Sequence, residues 1–333
     1  RDFCLSRGLG DVYKRQLQNL SIKKLAARAG FDLCGITPAR PLDDSEAHFR
    51  EWLRAGRHAT LGYLERNLDK RFDPSRLVEG ARSVVVCAVG FKNHRSEGYP
   101  AGCRTRVASY ACTRDYHVTL RGMLHSMLAA LQRENPGLTG RAFVDSAPLL
   151  EKRLAVEAGL GWIGRQSLLV TPQFGTYVLL GELVLTEETD RYDPPFEGVR
   201  CGRCRNCIES CPTGAIVAPK IIDAARCIAC RTIEPLADAI DANDGDPDGW
   251  IFGCDRCQSC CPHNQKAPMH RNPAFDPLFD PAGIPPETWL AMDEREFVTR
   301  FGETPLLRAG LERIRRNLLR NLRENNREAD DRE

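Results

Sequence analysis

Cysteines are the residues of this chain whose spacing points most directly to chemistry. The sequence contains 15 of them. One run, residues 201–212, has the spacing Cys-x2-Cys-x2-Cys-x3-Cys-Pro, and residues 254–262 repeat part of it as Cys-x2-Cys-x3-Cys-Pro. Bacterial ferredoxins bind four-iron clusters through this spacing. The sequence therefore predicts a module that binds two [4Fe–4S] clusters and transfers electrons.

The ferredoxin pattern also assigns the ligands, because the cysteine before each proline binds the cluster of the other run. The first cluster is assigned to Cys201, Cys204, Cys207 and Cys261. The second cluster is assigned to Cys211, Cys227, Cys254 and Cys257. Cys260 is an alternative to Cys227, because it continues the second run at a two-residue interval; we favour Cys227. Structural zinc also uses Cys-x2-Cys pairs, but it does not explain two runs that both end in Cys-Pro.

The elements around these cysteines predict an α/β domain, then a ferredoxin-like domain and a short helical tail. Apolar periodicity predicts helices over residues 21–29, 46–54, 61–67, 116–133 and 149–158, and strands over residues 31–37, 83–91, 141–144 and 176–186. Two further helices are expected over residues 287–300 and 306–325. The predicted domains are residues 17–195, 196–272 and 273–333. Residues 1–16 look like a translated cloning adaptor, and we exclude them from fold reasoning.

Composition restricts where this chain works. The formal net charge of +2 is too small to indicate a nucleic-acid binder by itself. No apolar stretch approaches the roughly 20 residues that span a bilayer. Many cysteines in a sequence without an apparent export signal favour a reducing compartment and metal ligation over disulfides. We therefore expect a cytoplasmic monomer with no membrane partner.

Asp145 is a second candidate for chemistry, because it lies where a predicted strand ends and a helix begins. This is a usual ligand position in α/β folds. An equally simple alternative is that Asp145 or Ser146 caps the following helix. Glycines 159, 161 and 164 resemble a dinucleotide fingerprint only loosely, since they follow a helix rather than a strand. They indicate tight turns or the close approach of a flat ligand.

Taken together, these motifs resemble the epoxyqueuosine reductases, which are cobalamin-dependent iron–sulfur enzymes of the tRNA queuosine pathway related to reductive dehalogenases. The resemblance runs from about residue 20 to about residue 273. It rests on residues 62–66, 70–74, 114–117, 144–148 and 161–164 and on both cysteine runs. It implies an oxidoreductase that removes an epoxide from a modified base in the tRNA anticodon. Cobalamin and two [4Fe–4S] clusters would relay electrons from a low-potential donor.

The same resemblance implies roles for single residues. Asp145 matches the family's proposed proton donor, and an epoxide oxygen leaves readily only when it is protonated. We therefore expect a desolvated Asp145 carboxyl with a raised pKa. Cobalamin contacts are expected at Asp145, Arg71, Ala108, Leu169, Leu180 and Ala229. His117 is expected to be a helix residue with only local partners.

The sequence departs from the family pattern at two places that bear on function. Residues 230–232 are Cys-Arg-Thr where members often have Tyr-Leu-Thr, beside the second cluster. Many members carry a C-terminal helical-repeat domain that grips tRNA, whereas about 60 residues follow residue 273 here. The arginine-rich segment 308–323 is a candidate for phosphate contacts, and a helix packed on the cysteine module is the equal alternative.

Two other functions stay open at this point. One is a related, dehalogenase-like cobalamin reductase that acts on a small molecule. The other is an electron carrier without a substrate of its own. A shaped pocket around Asp145 would argue against the carrier.

Overall fold

The computed structural model describes residues 16–235 and 247–330, with side chains up to residue 323. All of the adaptor-like segment except residue 16 lies outside these residues. The strands are β1 (Leu33–Pro38), β2 (Ser83–Gly90), β3 (Arg106–Val107), β4 (Gly140–Phe143), β5 (Trp162–Ile163), β6 (Leu169–Val170), β7 (Val178–Leu185), β8 (Ile216–Ala218), β9 (Ile221–Ile222) and β10 (Trp250–Phe252).

Helices surround the strands on several sides. They are α1 (Asn19–Arg28), α2 (Asp43–Arg54), α3 (Leu68–Arg71), α4 (Tyr116–Glu134), α5 (Glu151–Glu157), α6 (Asn206–Glu209), α7 (Ile228–Ile233), α8 (Arg256–Ser259), α9 (Pro286–Ala291), α10 (Glu294–Phe301) and α11 (Leu306–Asp330). Helix α11 is interrupted at Gly310, whose φ of 74° is left-handed. None of the helices in the described part of the chain is both long and apolar enough to cross a bilayer.

A four-stranded antiparallel sheet forms the centre of the first part of the chain, in the order β1-β2-β7-β4. Strand β2 is buried along its whole length. Its side chains alternate between two cores: Val85 packs in a cluster with residues of α1 and α4, and Val86 packs in another with residues of α5. Strands have this two-residue period, so an apolar, β-branched run suits a sheet covered on both faces. The predicted combination of helices and strands is confirmed.

The C-terminal tail packs on the cysteine module. Strand β10 of the module pairs in parallel with β3 of the first domain, and α11 lies against β10 and α7. The Asn317 side chain of α11 donates to the carbonyl oxygens of Thr232 at 3.0 Å and Ile251 at 2.8 Å. These contacts satisfy two backbone acceptors, one on each element beneath the helix. For the arginine-rich segment 308–323, which belongs to α11, the predicted alternative of a helix packed on the cysteine module is therefore confirmed.

Three predicted elements differ from the structure. The predicted helix over 61–67 is wrong: the chain forms a single 3-10 turn, Gly62–Leu64, and Asn67 follows with a left-handed φ of 54°. The single helix predicted over 287–300 is two helices, α9 and α10, because the Asp293 carboxylate accepts the Glu296 N–H at 2.8 Å and begins a new helix. Helix α1 begins at Asn19, two residues before the predicted start at residue 21.

Replacing Trp289 by alanine should destabilise the protein by about 3–5 kcal/mol, because it removes a large side chain from a closed core. Trp289 is fully buried and stacks on Phe301 with ring centroids 4.9 Å apart. Val298→Ala is the matched control: Val298 is 51% exposed on α10, so its loss should change the free energy of unfolding by less than about 0.5 kcal/mol. Urea unfolding of both variants checks this, and equal losses would contradict the burial argument.

Candidate active site and cluster sites

The four cysteines assigned to the first cluster line one cavity. Cys201, Cys204, Cys207 and Cys261 face it together with Arg165, Gln166 and His263. Burial and the neighbouring thiols, Cys260 and Cys261 foremost, raise the pKa of Cys207 to about 11. An isolated thiol in this place therefore keeps its proton, and binding to iron would remove it. The donor set and the enclosing cavity fit a [4Fe–4S] cluster.

The cysteines assigned to the second cluster also lie near one another. Cys227 stands at the start of α7, and Cys257 lies on α8. Burial, together with nearby Cys254 and Cys227, raises the pKa of Cys257. Burial likewise raises the pKa of Cys227, with Cys211 contributing. These effects place Cys227, Cys254 and Cys257 near one another, and Cys211 near Cys227.

Cys260, the alternative ligand, lies near both groups, because its thiol contributes to the raised pKa of Cys207 and to that of Cys257. It is not among the residues that line the cavity of the first group. In residues 16–235 and 247–330, no three Cys, His, Asp or Glu side chains converge on a single metal ion. A four-iron cluster does not need such convergence, because each thiolate binds a different iron.

Asp145 has an unusual backbone conformation at the end of β4. Its φ is 54°, in the left-handed region that non-glycine residues rarely enter. Its N–H donates to Oε1 of Glu151, the first residue of α5, at 2.6 Å. This bond keeps the turn closed, so the Asp145 carboxylate points away from α5 and towards the start of α4.

At the start of α4, the Asp145 carboxylate meets two donors. Its Oδ2 accepts the Tyr116 hydroxyl at 2.9 Å and lies 3.2 Å from Nε2 of His117. The other imidazole nitrogen, Nδ1, lies 2.8 Å from Oδ1 of Asp115, which also caps the helix. Both ring nitrogens therefore face carboxylate oxygens, and both can bond only if both carry protons. The geometry favours an imidazolium ion.

The pKa values follow from these bonds. Burial works against a charged His117, but the hydrogen bonds to Asp115 and Asp145 prevail and raise its pKa to about 9. The hydrogen bond from His117 lowers the pKa of Asp145, against the effect of burial. The prediction of a raised pKa for Asp145 is therefore wrong, because its carboxylate has two donors and is only half-buried. The expectation that His117 has only local partners is also wrong, since Asp145 is 28 residues away.

Three further side chains border this site. Tyr63 and Arg308 are about half exposed, and Arg308 forms an ion pair with Glu234 at 2.7 Å. Burial and the carboxylates of Glu234 and Asp145 raise the pKa of Tyr63, so these groups surround a common space. Arg308 comes from α11, and the tail thus contributes a cation to the rim of the site.

The residues expected to contact cobalamin fall into three places. Arg71 is buried on α3; its guanidinium donates to the Tyr63 carbonyl at 3.3 Å, and its Nε has no partner among the residues with described side chains. Leu169 and Leu180 belong to one apolar cluster. Ala108 packs with Ile228, next to Ala229 on α7.

Sequence reasoning missed the partners that control Asp145. Tyr116 and His117 lie in a segment that carried the family resemblance, residues 114–117, so a signal existed. Glu151 carried no such signal, because its contact with the Asp145 backbone depends on a left-handed turn that a strand-to-helix pattern does not reveal.

Asp145→Asn should lower the pKa of His117 from about 9 towards its ordinary value of 6.5, because one of two carboxylate partners loses its charge. A raised pKa stabilises the fold below about pH 6.5, and this contribution is lost as the pH rises through about 9. Imidazole ¹⁵N shifts in histidine-labelled protein measure the titration. Asp276→Asn, which changes the partner of His270, should leave the His117 titration unchanged; a similar shift in both variants would refute the assignment.

Comparisons with known proteins agree with this geometry. Residues 71–146 match the family described as epoxyqueuosine reductase QueG, DUF1730, and residues 200–264 match a 4Fe-4S double cluster binding domain. The chain is 41% identical over 306 residues to an epoxyqueuosine reductase of Xanthomonas campestris pv. campestris, covering 89% of this chain and 84% of that protein. It is 37% identical over 298 residues to one of Cyclobacterium marinum, covering 89% and 94%.

Solved structures give the same result. A crystal structure of an epoxyqueuosine reductase with an epoxyqueuosine-modified tRNA-Tyr stem loop has a TM-score of 0.79 at 28% identity, covering 91% of this chain and 80% of that one. A Bacillus subtilis epoxyqueuosine reductase, with its aspartate catalytic loop swung out of the active site, has the same TM-score, identity and coverage. Identity of this level over nearly the whole chain shows common descent. The chain belongs to the epoxyqueuosine reductase family.

Proposed function

We propose that this protein reduces epoxyqueuosine in the tRNA anticodon to queuosine. Relatives that match along most of the chain carry this name, and one solved relative holds an epoxyqueuosine-modified stem loop. The observation that carries the proposal is the Asp145–His117 pair, because an epoxide reduction needs a proton at the departing oxygen. In the reaction both carbon–oxygen bonds of the epoxide break, an alkene forms, two electrons and two protons enter, and water leaves.

The proton is delivered by Asp145 and His117 acting together. His117 stores a proton at neutral pH, since its pKa is about 9. As the first carbon–oxygen bond breaks, the oxygen becomes a far stronger base than a carboxylate. Because the Asp145 carboxylate is ionised, His117 gives it a proton through the 3.2 Å contact, and Asp145 passes this proton to the oxygen. The Tyr116 hydroxyl holds the Asp145 carboxylate in place throughout.

The Asp145 loop is supported as the catalytic loop by one comparison. The Bacillus subtilis relative is described with an aspartate catalytic loop swung out of its active site. In this protein, Asp145 lies on the loop between β4 and α5 and is turned towards Tyr116 and His117. We infer that this is the inward, working position of the same loop.

Cobalamin is the proposed redox cofactor of the site. Two observations agree with it: Leu180 lies on the central strand β7 yet remains partly uncovered, and buried Arg71 keeps an unused donor. An apolar face and a cation of this kind suit a large flat ring with polar substituents. Arg71, Ala108, Asp145, Leu169, Leu180 and Ala229 are the proposed contacts. When bound, cobalamin supplies low-valent cobalt as the reductant.

The electron path is the cysteine module. The match to a double-cluster domain supports two [4Fe–4S] clusters, and we propose the ligand sets given above, with Cys227 rather than Cys260. An unidentified low-potential donor supplies the electrons. The domain limits, the cytoplasmic location and the monomeric state stay predictions.

Cys227→Ser should cost the protein one of two clusters, whereas Cys260→Ser should leave both. Reconstituted wild-type protein should carry about eight irons, and the Cys227→Ser variant about four, because a cluster lacking one thiolate ligand is easily lost. Iron analysis with electron paramagnetic resonance measures this. The reverse pattern would assign Cys260 as the ligand and overturn our choice.

Asp145→Asn should abolish most turnover, because the amide cannot donate an acidic proton; a loss of about 100-fold or more is expected. Reconstituted enzyme is incubated with epoxyqueuosine-containing tRNA and a low-potential reductant, and nucleosides are quantified by mass spectrometry. Asp276→Asn is the control and should retain activity, since Asp276 is exposed and far from the site in sequence. The Asp145→Asn variant must still bind its clusters and cobalamin for the loss of turnover to be assigned to Asp145.

The two other functions predict different results in the same assay. An electron carrier would reduce a partner protein but leave the tRNA unchanged. A small-molecule reductase would bind cobalamin without converting epoxyqueuosine. Either result with wild-type enzyme would refute the proposed function.

A further inference from the structure

A second carboxyl group is buried directly beneath the Asp145 loop. Glu182 lies in the middle of β7, paired with Val86 on one side and Phe143 on the other. Its exposed fraction is 0%, and neither carboxylate oxygen finds a hydrogen-bond donor among the residues that the structure describes. A charged group in this position would be very unfavourable. The protein must therefore neutralise Glu182 in some other way.

Glu151 lies near Glu182, because its carboxylate contacts the backbone of Asp145, two residues after Phe143, which pairs with Glu182. Burial and the carboxyl group of Glu151 raise the pKa of Glu182, and burial and Asp145 raise the pKa of Glu151 to about 7. Two carboxylates in contact both accept, so a hydrogen bond between them exists only when a proton lies between them. Glu151 also accepts the Asp145 N–H at 2.6 Å. One carboxyl group thus connects the buried Glu182 to the backbone of the proton donor.

We propose that Glu151 and Glu182 share one proton and together position Asp145 for catalysis. The shared proton fixes the Glu151 carboxyl group, and Glu151 in turn holds Asp145 in its left-handed conformation. Neither glutamate touches the reacting atoms, so both are positioning residues. The catalytic part of this proposal rests on the proposed function, whereas the effect on the Asp145 backbone does not.

Lys152 is a nearby cation, and its charge acts to lower the pKa of Glu151. Its Nζ donates to the Ser167 carbonyl at 2.7 Å, and it forms no ion pair with either glutamate among the residues that the structure describes. The Asp145 carboxylate adds negative charge, and it is turned towards His117. Cys87, on the neighbouring strand, is a buried thiol whose raised pKa keeps it neutral. Loss of the shared proton would place two facing carboxylates beneath Asp145, so the loop should loosen at alkaline pH.

The test compares three variants of the cluster-reconstituted enzyme. Glu151→Ala removes the acceptor of the Asp145 N–H. Glu151→Gln keeps an acceptor oxygen, and Glu182→Gln replaces the shared proton by a permanent amide donor. Hydrogen–deuterium exchange over residues 144–150, corrected for intrinsic rates, reports the loop. kcat and the KM for tRNA report catalysis.

Glu151→Ala should speed exchange over residues 144–150 and lower kcat by roughly tenfold to hundredfold, with the KM for tRNA unchanged, because a small displacement of a catalytic group costs this much. Glu151→Gln should restore most of the protection from exchange and most of kcat. Glu182→Gln should keep the loop protected and remove the loosening that we expect of wild-type enzyme at alkaline pH below about 9, where His117 still holds its proton.

Two results would overturn the proposal. One is unchanged exchange in Glu151→Ala, and the other is alkaline loosening that persists in Glu182→Gln. If Glu151→Ala fails to fold, Glu182→Gln still decides, since it preserves size and polarity. If wild-type enzyme leaves the tRNA unchanged, the proposed function is wrong. The exchange data still test whether Glu151 and Glu182 share a proton and hold the Asp145 loop.

Discussion

The position of His117 between two carboxylates is the interaction on which the site depends. Its ring nitrogens lie 2.8 Å from Asp115 and 3.2 Å from Asp145, so one imidazolium joins the start of α4 to the loop after β4. This requires α4 to pack along the sheet with its first turn beside the end of β4, and α4 does contact both β4 and β7. The packing of α4 on the sheet therefore determines the position of His117, which carries the proton.

Electrons and protons must reach the same bond, and the fold brings their two sources together. The cysteine module joins the first domain through the parallel pair β3 and β10. Cys254 lies two residues after the end of β10, and Ala108 directly follows β3. A side chain at Gly253 would come within 2.5 Å of the Ala108 Cβ, so the backbones approach closely there. The proposed cofactor contacts at Ala108 and Ala229 lie on this boundary.

The predictions that succeeded depended on local patterns. The strand β2 was predictable because an apolar, β-branched run of eight residues suits a covered sheet. The double-cluster module was predictable because its cysteine spacing is that of bacterial ferredoxins. The helix predicted over 61–67 does not form because Asn67, with a left-handed φ, separates the turn Gly62–Leu64 from helix α3.

The charge state of Asp145 was not predictable for a different reason. The family role suggested an acid with a raised pKa, but the pKa depends on Tyr116 and His117, which approach from another element. A sequence does not show which hydrogen-bond donors the Asp145 carboxylate meets in the folded protein. The structure places the stored proton on His117 rather than on Asp145.

The pairing of β3 with β10 also has a kinetic consequence. Arg106 and Trp250 are neighbours in this pair, although well over a hundred residues separate them along the chain. Contacts between such distant residues form slowly, because a long loop must close before any contact stabilises it. On the ribosome, β3 emerges long before its partner, and α11, which covers β10, emerges later still. The junction between the first domain and the cysteine module is therefore completed late, so the nascent chain passes through a stage in which its thiols are synthesised but not yet enclosed.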